Sequence, residues 1–232
     1  MLQTTPTPIA PLTPALPGSV VLAHLPFLLE GLWTTGRLAA LSLPLALALG
    51  ILFGVLRITP FRLLRAIGTV YVEFFRNTPL LVQTFFAFFG LPSLGLRLPA
   101  FWAACLALGI YTGAYVAEVV RAGIQSISRG QLEAARSLGL TYGQMMRFVI
   151  LPQAIAITVP PLGNLVIAMT KNTSLSSSIA VSDLLYNGYL VNSRTFATYE
   201  IFTAIAAGYL LLTVPLSYLV GVVERRLTRY RA

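Results

Sequence analysis

Charge is scarce in this chain: Asp, Glu, Lys and Arg make up 10% of its 232 residues, where an average soluble domain carries about 25%. So little polar surface cannot cover a globule in water. With 56% of residues hydrophobic and a mean hydropathy of +0.80, the chain needs a bilayer as the solvent for its apolar faces. Histidine, cysteine, lysine and aspartate occur once each, as His24, Cys105, Lys171 and Asp183. A lone cysteine inside an apolar run excludes an internal disulfide and a multi-cysteine metal site. One histidine and one aspartate leave nothing from which to build a metal centre or an acid–base set. The chain therefore does not read as an enzyme, and no catalytic residue, metal or bound cofactor is expected in it. A phosphate loop of the form G-x-x-x-x-G-K-[ST] is missing as well, since Lys171 is followed by Asn172.

What is present is a set of long charge-free runs. Crossing about 30 Å of hydrocarbon takes roughly 20 helical residues, and five runs approach that length: 38–56, 79–96, 98–117, 148–170 and 201–223. The second and third are divided only by Arg97, with Pro92, Gly95 and Pro99 around it, which marks a tight turn between two spans. The pattern predicts an all-α integral membrane bundle of about five transmembrane helices, with the membrane domain at 25–226. Leu25–Gly36 reads as a short interfacial lead-in, with Trp33 at headgroup level.

The net charge of +9 would suggest nucleic acid in a soluble protein. Here the arginines lie between apolar runs and report topology instead. With the N-terminus outside, Arg57, Arg62 and Arg65, then Arg121, Arg129, Arg136 and Arg147, then Arg225, Arg226, Arg229 and Arg231 fall on the cytoplasmic side. Arg97, Lys171 and Arg194 fall outside, a strong positive-inside bias. The expected topology is N-terminus outside and C-terminus cytoplasmic, in a cell membrane surrounded by lipid. Residues 1–24 are read as a Pro-rich external tail, its first 17 residues extended or disordered, because Pro6, Pro8, Pro11, Pro14 and Pro17 come without the basic stretch of a secretory signal. Residues 227–232 are read as a basic cytoplasmic tail.

The loop at 121–147 carries the most information. Ser128-Arg-Gly-Gln131 and Thr141-Tyr-Gly-Gln144 both fit a capping box. Gly139 supplies a left-handed residue between them. The spacing predicts a short helix over 129–138, a turn, and a second helix leading into the fourth span, with Pro152 marking a bend or restart at the membrane. Ala134 and Ala135 give the first helix a small-residue surface beside Glu133 and Arg136, suited to close approach by another protein.

Glu133-Ala134-Ala135, then Gly139, then Val149-Ile150-Leu151-Pro152 resembles the EAA signature of permease subunits of ATP-binding-cassette importers, although the family usually has Ile where Val149 stands. Tyr71 to Gln83, Arg121 to Ser126 and Lys171 to Leu175 resemble the polar amino-acid branch, which serves histidine, glutamine, glutamate and arginine. The resemblance implies a coupling helix formed by Ser128, Glu133, Ala134, Ala135, Arg136 and Gly139, docking on a dimer of cytoplasmic ATP-binding subunits where ATP and Mg are held. It also implies an extracytoplasmic amino-acid-binding protein, which would deliver the substrate at the outside. Five helices do not easily enclose a pathway, so a second permease chain, identical or homologous, is expected. The rival reading is an ion-gradient-driven secondary amino-acid transporter, but such proteins often carry internal repeats and none is visible here.

Polar residues inside spans face a bundle interior or a cavity. Glu73 and Arg76, with Asn77 and Gln83 beyond, form either a self-neutralising ion pair at i,i+3 or part of a pathway. Tyr111, Thr112 and Tyr115 make a polar stripe in the third span, and Glu118 and Arg121 beyond it read as a structural pair. Pro160 and Pro161 predict a break or kink in the fourth span near Asn164. Lys171 and Asn172 lie at its outer end, where Lys171 is either a partner for a substrate carboxylate or an interfacial lysine. The candidate pathway residues are thus Arg76, Asn77, Gln83, Tyr115, Pro161, Asn164, Lys171 and Asn172.

Overall fold

The structure, a computed structural model, describes residues 19–228. Most of the expected N-terminal tail, and Arg229 and Arg231 of the C-terminal one, lie outside the described residues. The described end of the first tail, Ser19–Ala23, forms the short helix α1.

Helix α2 spans Leu25–Leu56 without interruption. The expected interfacial lead-in and first span are therefore one helix. Arg37, whose charge divided them in the sequence, stacks its guanidinium 5.4 Å from the Phe101 ring. A helix α3, Arg62–Asn77, follows; it was not anticipated, because its four charges exclude it from any charge-free run. Its neighbours are α4 (Leu80–Phe85), a π-turn over Phe86–Gly90 and a 3₁₀ turn over Leu91–Leu94. Next come α5 (Ala100–Gln125), α6 (Arg129–Ser137) and α7 (Tyr142–Met145). A second π-turn, Met146–Ile150, leads into α8 (Leu151–Asn172). The chain ends with a 3₁₀ turn over Thr173–Ile179, α9 (Leu184–Thr195) and α10 (Thr198–Thr228). No strand occurs among the described residues.

Four segments are long and apolar enough to cross a membrane: α2, α5, Tyr142–Ile179 and Thr198–Arg226. Leu80–Leu94 is apolar but shorter. Packing shows that it returns across the bundle. Gly50 of α2 abuts Val116, and Gly54 abuts Ala117 and Val120, while Gly109 abuts Leu45, so α2 and α5 run parallel, side by side. The chain between their ends must therefore travel back. At ~1.5 Å per residue, Leu80–Leu94 alone covers only about 22 Å, and α3 supplies the remaining length.

Lipid tails are as apolar as leucine, so helices in a bilayer gain by close packing rather than by leaving water. The α2–α5 seam follows that rule. It is built from Gly50, Gly54, Gly109 and Gly113 against Ala46, Ala114 and Ala117, which lets the two backbones approach. Leu38, Leu80, Ala103, Leu108 and Met169 fill the main core beside it. A second core of Leu28, Leu184, Val191, Ile201 and Ile205 joins α2, α9 and α10.

Helix α8 passes through Pro160 and Pro161 as one continuous helix, so of the break or kink expected there the break does not occur. The ring-fixed φ of proline matches helical φ, and what is lost is two backbone donors and some steric fit. Flanking contacts hold the segment: Gly123 of α5 sits against Thr158, and Gly163 sits against Val220 of α10. The wide π-turn just before Pro152 is the irregularity by which the chain enters this helix.

Candidate functional site

Two sites emerge, one inside the bundle and one at the end of α5. The inner site begins at Glu118. Arg57, which ends α2, and Arg121, one turn on in α5, both donate to its carboxylate. Arg57 also approaches Glu73 at 3.7 Å, and Arg76 approaches Glu118 at 3.8 Å. The Glu118–Arg121 pair is thus as expected, whereas Glu73 and Arg76 pair across helices instead of with each other. Three arginines against two glutamates leave the cluster one positive charge in excess.

Arg76 carries that excess toward the bundle. Its guanidinium lies 5.2 Å from the Tyr115 ring, and its Nε is buried without a hydrogen-bond partner. The Tyr115 hydroxyl is 3.1 Å from that of Tyr111. Both tyrosines line a cavity of about 120 Å³ between α5 and α8, with Thr112, Leu165, Ala168, Met169 and Asn172. Helical spacing places Pro161 and Asn164 on the same face of α8 as Ala168 and Asn172, one to two turns further along. That face of α8 runs from the cavity toward the end of the bundle where α6 and α7 lie.

Of the other candidates, Gln83 has a structural job. Its Nε2 donates to the Phe75 and Thr78 carbonyls at 2.9 and 3.0 Å, closing the break between α3 and α4. Asn77 donates to the Glu73 carbonyl at 2.7 Å and caps α3. Lys171 is exposed and is absent from the cavity lining that holds Asn172. Arg57, read from sequence only as a topology signal, is the charge best buried here, with a side chain 11% exposed. The absence of an acidic residue within four positions of it was the available signal that its partner is distant.

At the end of α5, α6 and α7 fold back as a hairpin. Ser128 stands at the N-cap of α6 without a side-chain bond, because the Gln131 N–H donates to the Ser128 carbonyl instead. That expected capping box does not form. The second does: the Gln144 N–H donates to the Thr141 hydroxyl, and the Gln144 Oε1 accepts from the Thr141 N–H. Gly139 takes φ +76°, and the Leu140 and Gly139 N–H groups donate to the carbonyls of Ala135 and Arg136. This double bond pattern closes α6 in the way a left-handed glycine allows. Ala135 is buried against Ile127, Met145 and Ile150, so it holds the hairpin together and does not offer an outer surface. Glu133, Ala134 and Arg136 are exposed, beside Leu138 at 80% and Tyr142 at 70% exposure.

Residues 46–229 match the family described as the inner membrane component of binding-protein-dependent transport systems. The chain belongs to that family. It is 46% identical over 211 residues to the probable glutamine ABC transporter permease protein GlnM of Bacillus subtilis, covering 91% of this chain and 98% of that protein. It is 37% identical over 210 residues to the arginine transport system permease protein ArtQ of the same organism, covering 90% and 96%. Among solved structures, an amino acid ABC transporter crystallised with histidines superposes with a TM-score of 0.86 at 37% identity, covering 91% of this chain and 99% of that one. The resemblance drawn from the sequence is borne out: this is an ABC-importer amino-acid permease, a multi-pass membrane protein.

Proposed function

We propose that this chain carries a polar amino acid across the cell membrane, driven by ATP that a separate subunit hydrolyses. The observation that carries the reading is the Tyr111–Tyr115–Asn172 cavity with the surplus charge of Arg76 beside it, in a chain whose relatives are named as amino-acid permeases. An α-amino acid is a zwitterion. Its carboxylate suits the surplus positive charge that Arg76 brings, and its ammonium suits the tyrosine faces. Arg76, Tyr115, Asn172, Asn164 and Pro161 are the pathway residues of this reading. Gln83, Asn77 and Lys171 serve structure or surface.

The hairpin is the coupling element in this reading. Glu133, Ala134, Arg136 and Leu138 meet the ATPase, Ser128 and Gly139 set the ends of α6, and Ala135 keeps it seated. The hairpin then faces the cytoplasm, with the N-terminus outside, the C-terminus inside and α9 on the outer side. ATP and Mg belong to the ATPase dimer. A second permease chain completes the path, and an extracytoplasmic binding protein delivers the substrate. Closing of the ATPase pair biases a two-state bundle through the hairpin.

Purification of the tagged chain from its own membranes, with mass spectrometry of its companions and an ATPase assay, tests this directly. A stoichiometric ATPase with vanadate-sensitive turnover is the expected result. A lone protein that moves amino acid on an ion gradient would establish the secondary-transporter reading instead.

A further inference from the structure

The charged cluster lies directly beneath the cavity. Tyr111, Tyr115 and Glu118 follow one another at i, i+4 and i+7 along α5, so they share one face of that helix. Glu118 is the member nearest the hairpin, about 4.5 Å past Tyr115 along the axis. A solute leaving the Tyr111–Tyr115 cavity along α5 toward α6 and α7 therefore meets Glu118. Arg76 touches both levels, with its guanidinium 5.2 Å from the Tyr115 ring and 3.8 Å from the Glu118 carboxylate.

Three helices make this floor. Arg57, at the end of α2, donates to the Glu118 Oε2. Arg121 grips both carboxylate oxygens, through Nη2 to Oε1 and through Nε to Oε2 at 3.2 Å, the two-point geometry that fixes a carboxylate in place. Arg76 comes from α3. Opposite them, the stretch of α8 level with Glu118 runs from Thr158, packed on Gly123, to Leu165, in the cavity wall beside Tyr115. That stretch carries no charge, so the arginines of the floor converge on one carboxylate. Arg57 is the buried member, whereas Glu118, Arg121 and Arg76 remain partly exposed; pairs that only tied helices together could close over completely. The floor is also joined to the hairpin. Arg121 donates to Gln125 one turn on, and two residues further Ile127 is buried against Ala135 and Met145.

We propose that Glu118 is the gate on the hairpin side of the cavity, held shut by Arg57, Arg121 and Arg76. Closed, these side chains bridge α2, α3 and α5 across the way out of the cavity. The gate opens when Glu118 parts from Arg57 and Arg76, which belong to other helices, while Arg121 stays with it on α5. The last turns of α5 carry a displacement of the hairpin to that point. The gate rests on the reading of the cavity as the transport path.

The test is the accessibility of a cysteine in the cavity wall, Thr112→Cys in a Cys105→Ser chain. The full chain is reconstituted in lipid vesicles and treated with membrane-impermeant methanethiosulfonates, one cationic and one anionic, so that reagent charge does not decide the result. Leu138→Cys, exposed on the hairpin, reports which face the reagent reaches. From the hairpin face, Glu118→Gln should speed modification at position 112 about tenfold with either reagent, because the arginines are left to repel one another. From the opposite face the rate should change by less than about twofold. Arg76→Gln should raise the hairpin-face rate by a smaller factor, and it carries the test where Glu118→Gln fails to fold. Unchanged hairpin-face rates in both variants would overturn the gate. So would equal acceleration from both faces, the mark of a bundle that has merely loosened. Labelling needs neither an ATPase nor net uptake, so a chain that moves no amino acid refutes the transport reading while these rates still judge the gate.

Discussion

Arg57, the residue that ends α2, donates to Glu118 of α5 across 61 residues of chain. Glu118 is the hub of the charge cluster, since Arg121 and Arg76 also turn to it. Glu118→Gln keeps the volume and leaves Arg57, mostly buried, with only the 3.7 Å approach of Glu73. A fully buried pair broken on one side costs about 3–5 kcal/mol. Glu118 is 27% exposed at its side chain, so we expect a loss of about 2–3 kcal/mol in detergent denaturation. Arg76→Gln breaks a 3.8 Å approach to Glu118 and the stacking on Tyr115 and should lose about 1 kcal/mol, while depressing uptake. Equal destabilisation by the two variants would mean that Glu118 is not the hub.

The parallel seam of α2 and α5 makes a second prediction. A Cβ on Gly50 would lie 2.2 Å from the Val116 Cγ1. Gly50→Ala should therefore cost about 1–3 kcal/mol by overpacking. Gly36, on the same helix, has nothing within 4 Å of its would-be Cβ, and Gly36→Ala should be neutral or stabilise by up to ~1 kcal/mol through helix propensity. Adding Val116→Ala to Gly50→Ala should recover part of the loss. Thermal midpoints of the four proteins check the set, and a fully tolerated Gly50→Ala would show that the helices are not packed backbone to backbone.

The runs at 98–117, 148–170 and 201–223 were legible because a segment facing lipid must be continuous in apolar residues, and the bilayer sets its length. Helix α3 was invisible to that reasoning. Arg62, Arg65, Glu73 and Arg76 interrupt it, yet Glu73 and Arg76 turn to partners at the end of α2 and on α5 that no local window contains. Arg37 divided α2 on paper for the same reason. The Gly139 turn and the Thr141 cap could be read because their bonds close within a few residues. The Ser128 box failed because a backbone carbonyl competes for the same donor. The Tyr111–Tyr115 stripe was visible at helical spacing, whereas its meeting with Arg76 and Asn172 depends on three helices at once.

Gly139 holds φ +76° with open space around it, so only its backbone matters. Gly139→Ala would place a Cβ in a left-handed residue, at about 1–2 kcal/mol. Leu138, 80% exposed, contributes little to folding. We expect Leu138→Asp to insert and fold normally but to recover much less ATPase on co-purification, with Gly139→Ala intermediate. Full ATPase recovery with Leu138→Asp and with Glu133→Ala would move the docking surface away from this hairpin.

The cavity separates two residues that are adjacent in sequence. Asn172 lines it with Tyr115, while Lys171 points to the surface. Asn172→Leu removes the amide from the cavity wall and should raise the half-saturation concentration for uptake about tenfold, the equivalent of ~1.4 kcal/mol. Tyr115→Phe keeps the ring beneath Arg76 and loses only the hydroxyl contact with Tyr111, so its effect should be smaller. Asn164→Leu, about two turns back along α8 from Asn172, should lower the maximal rate with assembly intact. Lys171→Ala should leave both constants unchanged. Radiolabelled uptake into vesicles distinguishes these outcomes. A large effect at Lys171 with none at Asn172 would place the substrate at the membrane surface, where a positive charge acts without a walled cavity.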